Sequence, residues 1–122
     1  DNGFPLVSEE KKYFDFGEQT NSVRTCGLVD FSYIQVIEGK RADTWFLIVG
    51  GPTRTKSMKV DLRPRHYITV PEYWEIEVVG CVAPIVLPTA GEFVETLAIT
   101  DFIGKKGIEV VGATDAEIWQ RP

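Results

Sequence analysis

Hydrophobic and polar positions alternate most cleanly between Ser57 and Arg63. Met58, Val60 and Leu62 fall on one side of an extended chain, and Lys59, Asp61 and Arg63 on the other. A period of two residues is that of a half-buried β-strand. The same period returns from Trp74 to Val82, with Trp74, Ile76 and Val78 inward, Glu75 and Glu77 outward, and Gly80 as a site for a bulge. Val23 to Ile37 is rich in β-branched and aromatic residues and long for one strand; Gly27 stands where a bulge or sharp coil would let it bend. After the polar turn Glu38 to Asp43, the nearly continuous apolar run Thr44 to Val49 predicts a strand that Gly50-Gly51-Pro52 break. Phe93 to Ile103 predicts a further strand, Gly104 to Gly107 a turn, and Ile108 to Val111 a short last strand.

Three stretches depart from this period. The first twenty residues carry Phe4, Leu6 and Val7, then Glu9-Glu10-Lys11-Lys12, then Tyr13, Phe14 and Phe16 before Gly17. They predict an N-terminal arm, residues 1–20, laid across the main body, because aromatics exposed on a mobile terminus cost solubility. Pro64 and Pro71 make the segment up to Tyr73 unsuited to a regular helix. Thr114-Asp115-Ala116-Glu117 has the spacing of a capping box, which predicts two turns of helix from Thr114 to Gln120. No internal repeat or linker divides the rest, so residues 21–122 are expected to form one domain.

Two stretches carry a family resemblance. Asn21-Ser22-Val23-Arg24-Thr25-Cys26-Gly27-Leu28-Val29 enters as a first strand at a glycine, and Trp74-Glu75-Ile76-Glu77-Val78-Val79-Gly80-Cys81-Val82 is followed by Glu95-Thr96-Leu97-Ala98-Ile99-Thr100. A strand ending in V-V-G-x-V, a variable loop and an alternating strand resemble the fourth and fifth strands of small OB-fold subunits in single-strand-binding complexes. The resemblance covers roughly residues 21 to 104. It implies an all-β, five-stranded OB-like Greek-key barrel, with a β-sandwich as the alternative. In an OB-fold the start of the first strand lies antiparallel beside the end of the fourth, which implies that Cys26 and Cys81 are neighbours. The prolines between Pro64 and Tyr73 depart from the helix that many OB-folds carry there.

Charge adds a candidate ligand face. Residues 40–66 hold Lys40, Arg41, Arg54, Lys56, Lys59, Arg63 and Arg65 against Asp43 and Asp61, about +5, while the rest of the chain is about −10. The same stretch holds Trp45, Phe46, His66 and Tyr67, and cations interleaved with aromatics suit phosphates and flat bases. The resemblance places this stretch on the usual OB ligand face, with Trp45, Arg54, Lys56, Lys59, Arg63, Arg65 and Tyr67 as candidate nucleic-acid-binding residues. The plain alternative is a solvated edge whose Lys and Arg side chains block strand addition.

Catalytic and metal chemistry find little support. His66 is the sole imidazole, and no G-x-S-x-G, paired histidine or glycine-rich phosphate loop accompanies it. Glu75 and Glu77 are the wet face of an amphipathic strand. Asp61 and Asp101 make no better pair. Two cysteines 55 positions apart and one histidine do not make a zinc site, which leaves a Cys26–Cys81 disulfide or two buried thiols. The longest uncharged run, Val78 to Gly91, is broken by Pro84 and Pro88 and is shorter than the roughly 18 residues of a membrane span. Asp1 as first residue fits a processed N-terminus and equally a cut within a longer chain.

Two functions follow as expectations. The first is a non-catalytic OB-fold module without cofactor, contacting single-stranded nucleic acid or serving as a structural subunit beside a protein partner. The second is a secreted or periplasmic disulfide-linked β module that binds a protein or small ligand. The state of the cysteines discriminates them: free thiols point to an intracellular protein, a bond to the second reading.

Overall fold

The computed structural model describes residues 25–83 and 89–122. The expected N-terminal arm, residues 21–24 of the expected first strand, and Pro84 and Pro88 lie outside the described residues.

Eight strands make up the described chain: β1 Thr25–Leu28, β2 Tyr33–Glu38, β3 Trp45–Thr53, β4 Lys59–Pro64, β5 Tyr73–Val82, β6 Gly91–Ala98, β7 Gly107–Val111 and β8 Ala116–Gln120. They form two sheets. In the first, β5 is central: β4 lies antiparallel along one edge, and the other edge is shared end to end by β7, parallel to Tyr73–Glu77, and β1, antiparallel to Val79–Val82. The strand β8 continues this sheet beyond β7. The second sheet has the order β2-β3-β6, all antiparallel.

The two sheets share one core. Leu47 and Val49 of β3 and Phe93 of β6 meet Val60 and Leu62 of β4, Ile76 and Val78 of β5, and Ile108 and Val110 of β7, with Ile99 beside them. The alternation read from Ser57 to Arg63 holds residue by residue: Val60 and Leu62 are buried, while Lys59, Asp61 and Arg63 are exposed. Met58 and Leu97 are partly buried and pack against the same cluster.

The closed five-stranded barrel is corrected to this two-sheet arrangement, the layout that the sandwich alternative describes. The stretch Val23 to Ile37 supplies two strands and not one, β1 in the first sheet and β2 in the second. Neither glycine bulges its strand, since Gly27 pairs with Gly80 and Gly80 with Val60 in unbroken ladders. The strand β3 runs on through Gly50-Gly51-Pro52, which pair with Val94, Phe93 and Glu92 of β6.

The C-terminal helix is also corrected. The Thr114 hydroxyl donates to Asp30 Oδ1 at 2.8 Å, and the Thr114 amide donates to the same oxygen at 3.0 Å, so this side chain is held by Asp30 and caps no helix. Two turns of helix have little stability alone, whereas an extended tail gains a full ladder with β7 and sends Trp119 onto Trp45, ring centroids 5.2 Å apart.

Candidate functional site

The molecule has two unlike ends. Strands β3 and β5 both begin at one end, where aromatics fill the space between the sheets. Trp74 meets Tyr67 edge-on at 5.1 Å and Phe102 at 5.8 Å, and Trp45 carries Trp119. The Trp74 indole donates to the Arg65 carbonyl at 2.9 Å, and the Trp45 amide donates to Thr100 Oγ1 at 3.1 Å. At the other end β3 finishes at Thr53 and β5 at Val82. There the inner side of the first sheet carries Gly27 opposite Gly80.

A groove of about 600 Å³ opens at this second end. Its floor is the Gly27–Gly80 pair, its walls are largely Val29, Pro52 and Met58, and Arg54 stands among its lining residues. Gly80 makes room for those walls: a methyl group built there would come within 2.7 Å of Val29 Cγ1 and 2.8 Å of Met58 Sδ. A methyl group on Gly27 would meet no described atom within 4 Å.

Local hydrogen bonds hold the groove's edges. Thr55 is 1% exposed, and its hydroxyl lies 3.1 Å from Ser57 Oγ and accepts from the Ser57 amide at 3.2 Å. With the Met58 amide bonded to the Thr55 carbonyl, this fixes the corner between β3 and β4 that presents Arg54 and Met58. On the opposite edge, Asp30 ties the β1–β2 connection to the β7–β8 turn through Thr114.

Cys26 and Cys81 are bonded across β1 and β5, with Cα atoms 4.1 Å apart. The neighbouring strands and the distance agree with the placement expected of the first and fourth strands. The alternative of two free thiols does not describe this structure.

The candidate nucleic-acid-binding residues are distributed over both ends. Arg54 and Lys56 lie in the β3–β4 connection, and Lys59, opposite Cys81, lies at the same end. Arg65 and Tyr67 follow β4 at the aromatic end, with Trp45, about 25 Å away along a nine-residue strand. Lys40 and Arg41 also lie at that end, in the β2–β3 hairpin. Acidic neighbours accompany Arg63 of β4 and Arg65 just after it: Arg63 Nη2 lies 3.7 Å from Asp61 Oδ2, and Arg65 Nη1 donates to Glu75 Oε1 at 3.1 Å. Trp45 is half-buried and packs against the core. His66 is exposed.

The groove was missed because Gly27 and Gly80 were each read alone, as bulges. Their signal lay in the mirrored dipeptides Cys26-Gly27 and Gly80-Cys81. Antiparallel strands that pair the cysteines must also pair the glycines.

Among the described residues, no group of three or more His, Cys, Asp or Glu side chains is placed to hold a metal ion. No helix in that part of the chain is long and apolar enough to cross a membrane. No family model, curated protein or solved structure matches this chain.

Proposed function

We propose that this protein is a non-catalytic, disulfide-linked β module of an oxidising compartment, secreted or periplasmic, that binds a small ligand or a protein. The observation that carries the reading is the Cys26–Cys81 bond between directly opposed residues of β1 and β5. Bonds of this kind form and persist outside the reducing cytosol. The cations that a phosphate track would need are not gathered on one face: Arg54 and Lys56 stand at one end, Arg65 at the other, and Arg63 and Arg65 have carboxylates beside them. This supports a ligand other than a nucleic-acid strand.

Counting thiols in the unfolded, unreduced protein tests the reading. No reactive thiol is expected before reduction and two after it. Two thiols before reduction would return the protein to the intracellular reading. A labelled single-stranded oligonucleotide at roughly 50 mM salt provides the second arm, since phosphate contacts are strongest at low salt. Saturable binding there that is weakened by Arg54→Ala and Lys59→Ala would replace the present reading with nucleic-acid binding.

A further inference from the structure

The floor of the groove holds a glycine, Gly27, that neither its backbone angle nor any described neighbour requires. The backbone at Gly27 does not have a positive φ, so any residue can adopt it, and its Cβ position borders open space among the described residues. A strand glycine weakens its ladder and leaves a side-chain position empty, and a common reason for one is the close approach of a ligand. The neighbouring Gly80 does serve packing, because Val29 and Met58 occupy the space over it. Among the described residues nothing occupies the corresponding space over Gly27, and the groove is open there.

Size and chemistry define the occupant. About 600 Å³ lies within the range of small-molecule sites and is far more than packed interiors leave unfilled. Val29, Pro52 and Met58 offer apolar contact. Arg54 adds a fixed positive charge with a planar fork suited to a carboxylate or sulfonate. Asp30 is also among the lining residues, with its Oδ1 engaged by Thr114, so an acidic ligand group belongs on the Arg54 side. We infer that the groove over Gly27 and Gly80 binds a small apolar molecule bearing one acidic group, its body against Val29, Pro52 and Met58 and its acid at Arg54.

This inference rests on the binding-module reading and deepens it. Anilinonaphthalene sulfonate, apolar with one acidic group, is the probe, and decanoate, decanol and decylamine are its competitors. The wild-type protein should enhance the probe's fluorescence saturably at one site, with decanoate displacing it about tenfold better than decanol or decylamine. Gly27→Leu fills the groove and should weaken probe binding by at least about tenfold while melting no lower than wild type. Gly27→Val, at home in a strand, gives the same reading should the longer side chain not fold. Arg54→Gln should remove the preference for decanoate and keep decanol competition.

Binding that is indifferent to Gly27→Leu and Gly27→Val overturns the inference. So does a wild-type protein that ignores the probe. In that case a lowered melting temperature in Gly27→Leu assigns the groove to another part of this chain, and a wild-type dimer that this variant makes monomeric assigns it to a second copy. The thiol count fails separately. A bridged protein that ignores the probe loses the groove alone, and a protein with two free thiols loses the compartment whatever the probe does.

Discussion

Cys26 sits directly across from Cys81, and their bond adds a covalent tie to the short ladder that holds β1 on β5. All four residues of β1 are exposed, and β1 shares its edge of β5 with β7. A bond closing a loop of 55 residues restricts the unfolded chain by about 4 kcal/mol in the chain-entropy treatment. Replacing both cysteines with alanine should therefore lower stability in urea by roughly 2 to 4 kcal/mol. Amide exchange should rise first in β1. A double variant with unchanged stability would show that the bond contributes nothing to the fold.

The core makes a graded prediction. Ile76 is fully buried between the sheets, whereas Leu97, opposite Leu47, is only partly covered. Ile76→Ala should cost about 2 to 5 kcal/mol, and Leu97→Ala less, because a half-exposed site leaves a smaller cavity. Urea denaturation of the two variants checks the order. Equal losses would place Leu97 as deep as Ile76.

How much of this was legible follows from what sets each feature. The alternation of Val60 and Leu62 against Lys59, Asp61 and Arg63 is local, so it was read correctly from the chain. The pairing of Cys26 with Cys81 was also within reach, through the resemblance. The break of Val23 to Ile37 into β1 and β2 was not, because Val29 and Phe31 carry the apolar alternation of a strand straight across Asp30 and Ser32. What ends β1 is a change of sheet, in which the Ser32 amide turns to the Gly50 carbonyl at 2.7 Å. The tail was misread for a similar reason. Thr114 has the spelling of a cap, and its partner, Asp30, is 84 residues away.

The tail strand has its own test. Trp119 packs on Trp45 and against the core from β8, while Ile118 on the opposite side is exposed. Trp119→Ala should cost about 3 to 5 kcal/mol at most, as for a buried aromatic, and should speed amide exchange in β8 and along its partner β7. Ile118→Ala should change stability by less than about 1 kcal/mol, since an exposed side chain leaves no cavity. Comparable losses at 118 and 119 would contradict the strand.

Asp43 carries the one positive φ of a residue other than glycine among the described residues, 63°, in the hairpin that joins β2 to β3. The Thr44 hydroxyl closes this turn by donating to the Arg41 carbonyl at 2.7 Å. Aspartate and asparagine tolerate the left-handed region, whereas a β-branched residue does not. Asp43→Asn should be nearly neutral, and Asp43→Val should lose about 1 to 2 kcal/mol. Both remove the charge, so their difference in thermal denaturation isolates the backbone. Equal effects would mean that the turn does not need this conformation.

Two strand glycines should respond in opposite ways to the same methyl group. Gly107, at the start of β7, has φ of 154°, and a Cβ there would run into the Trp119 carbonyl of β8. Glycine alone adopts that backbone without strain, so Gly107→Ala should cost at least about 1 to 3 kcal/mol and loosen the β7–β8 ladder. Gly27 has neither the positive φ nor the crowding. Gly27→Ala should leave stability unchanged or raise it by about 0.4 to 1 kcal/mol, because alanine lowers the entropy of the unfolded chain. Calorimetry of the two variants side by side reads the contrast directly. A loss at Gly27 as large as that at Gly107 would mean that something already lies over Gly27, and the groove would then be part of the packed core.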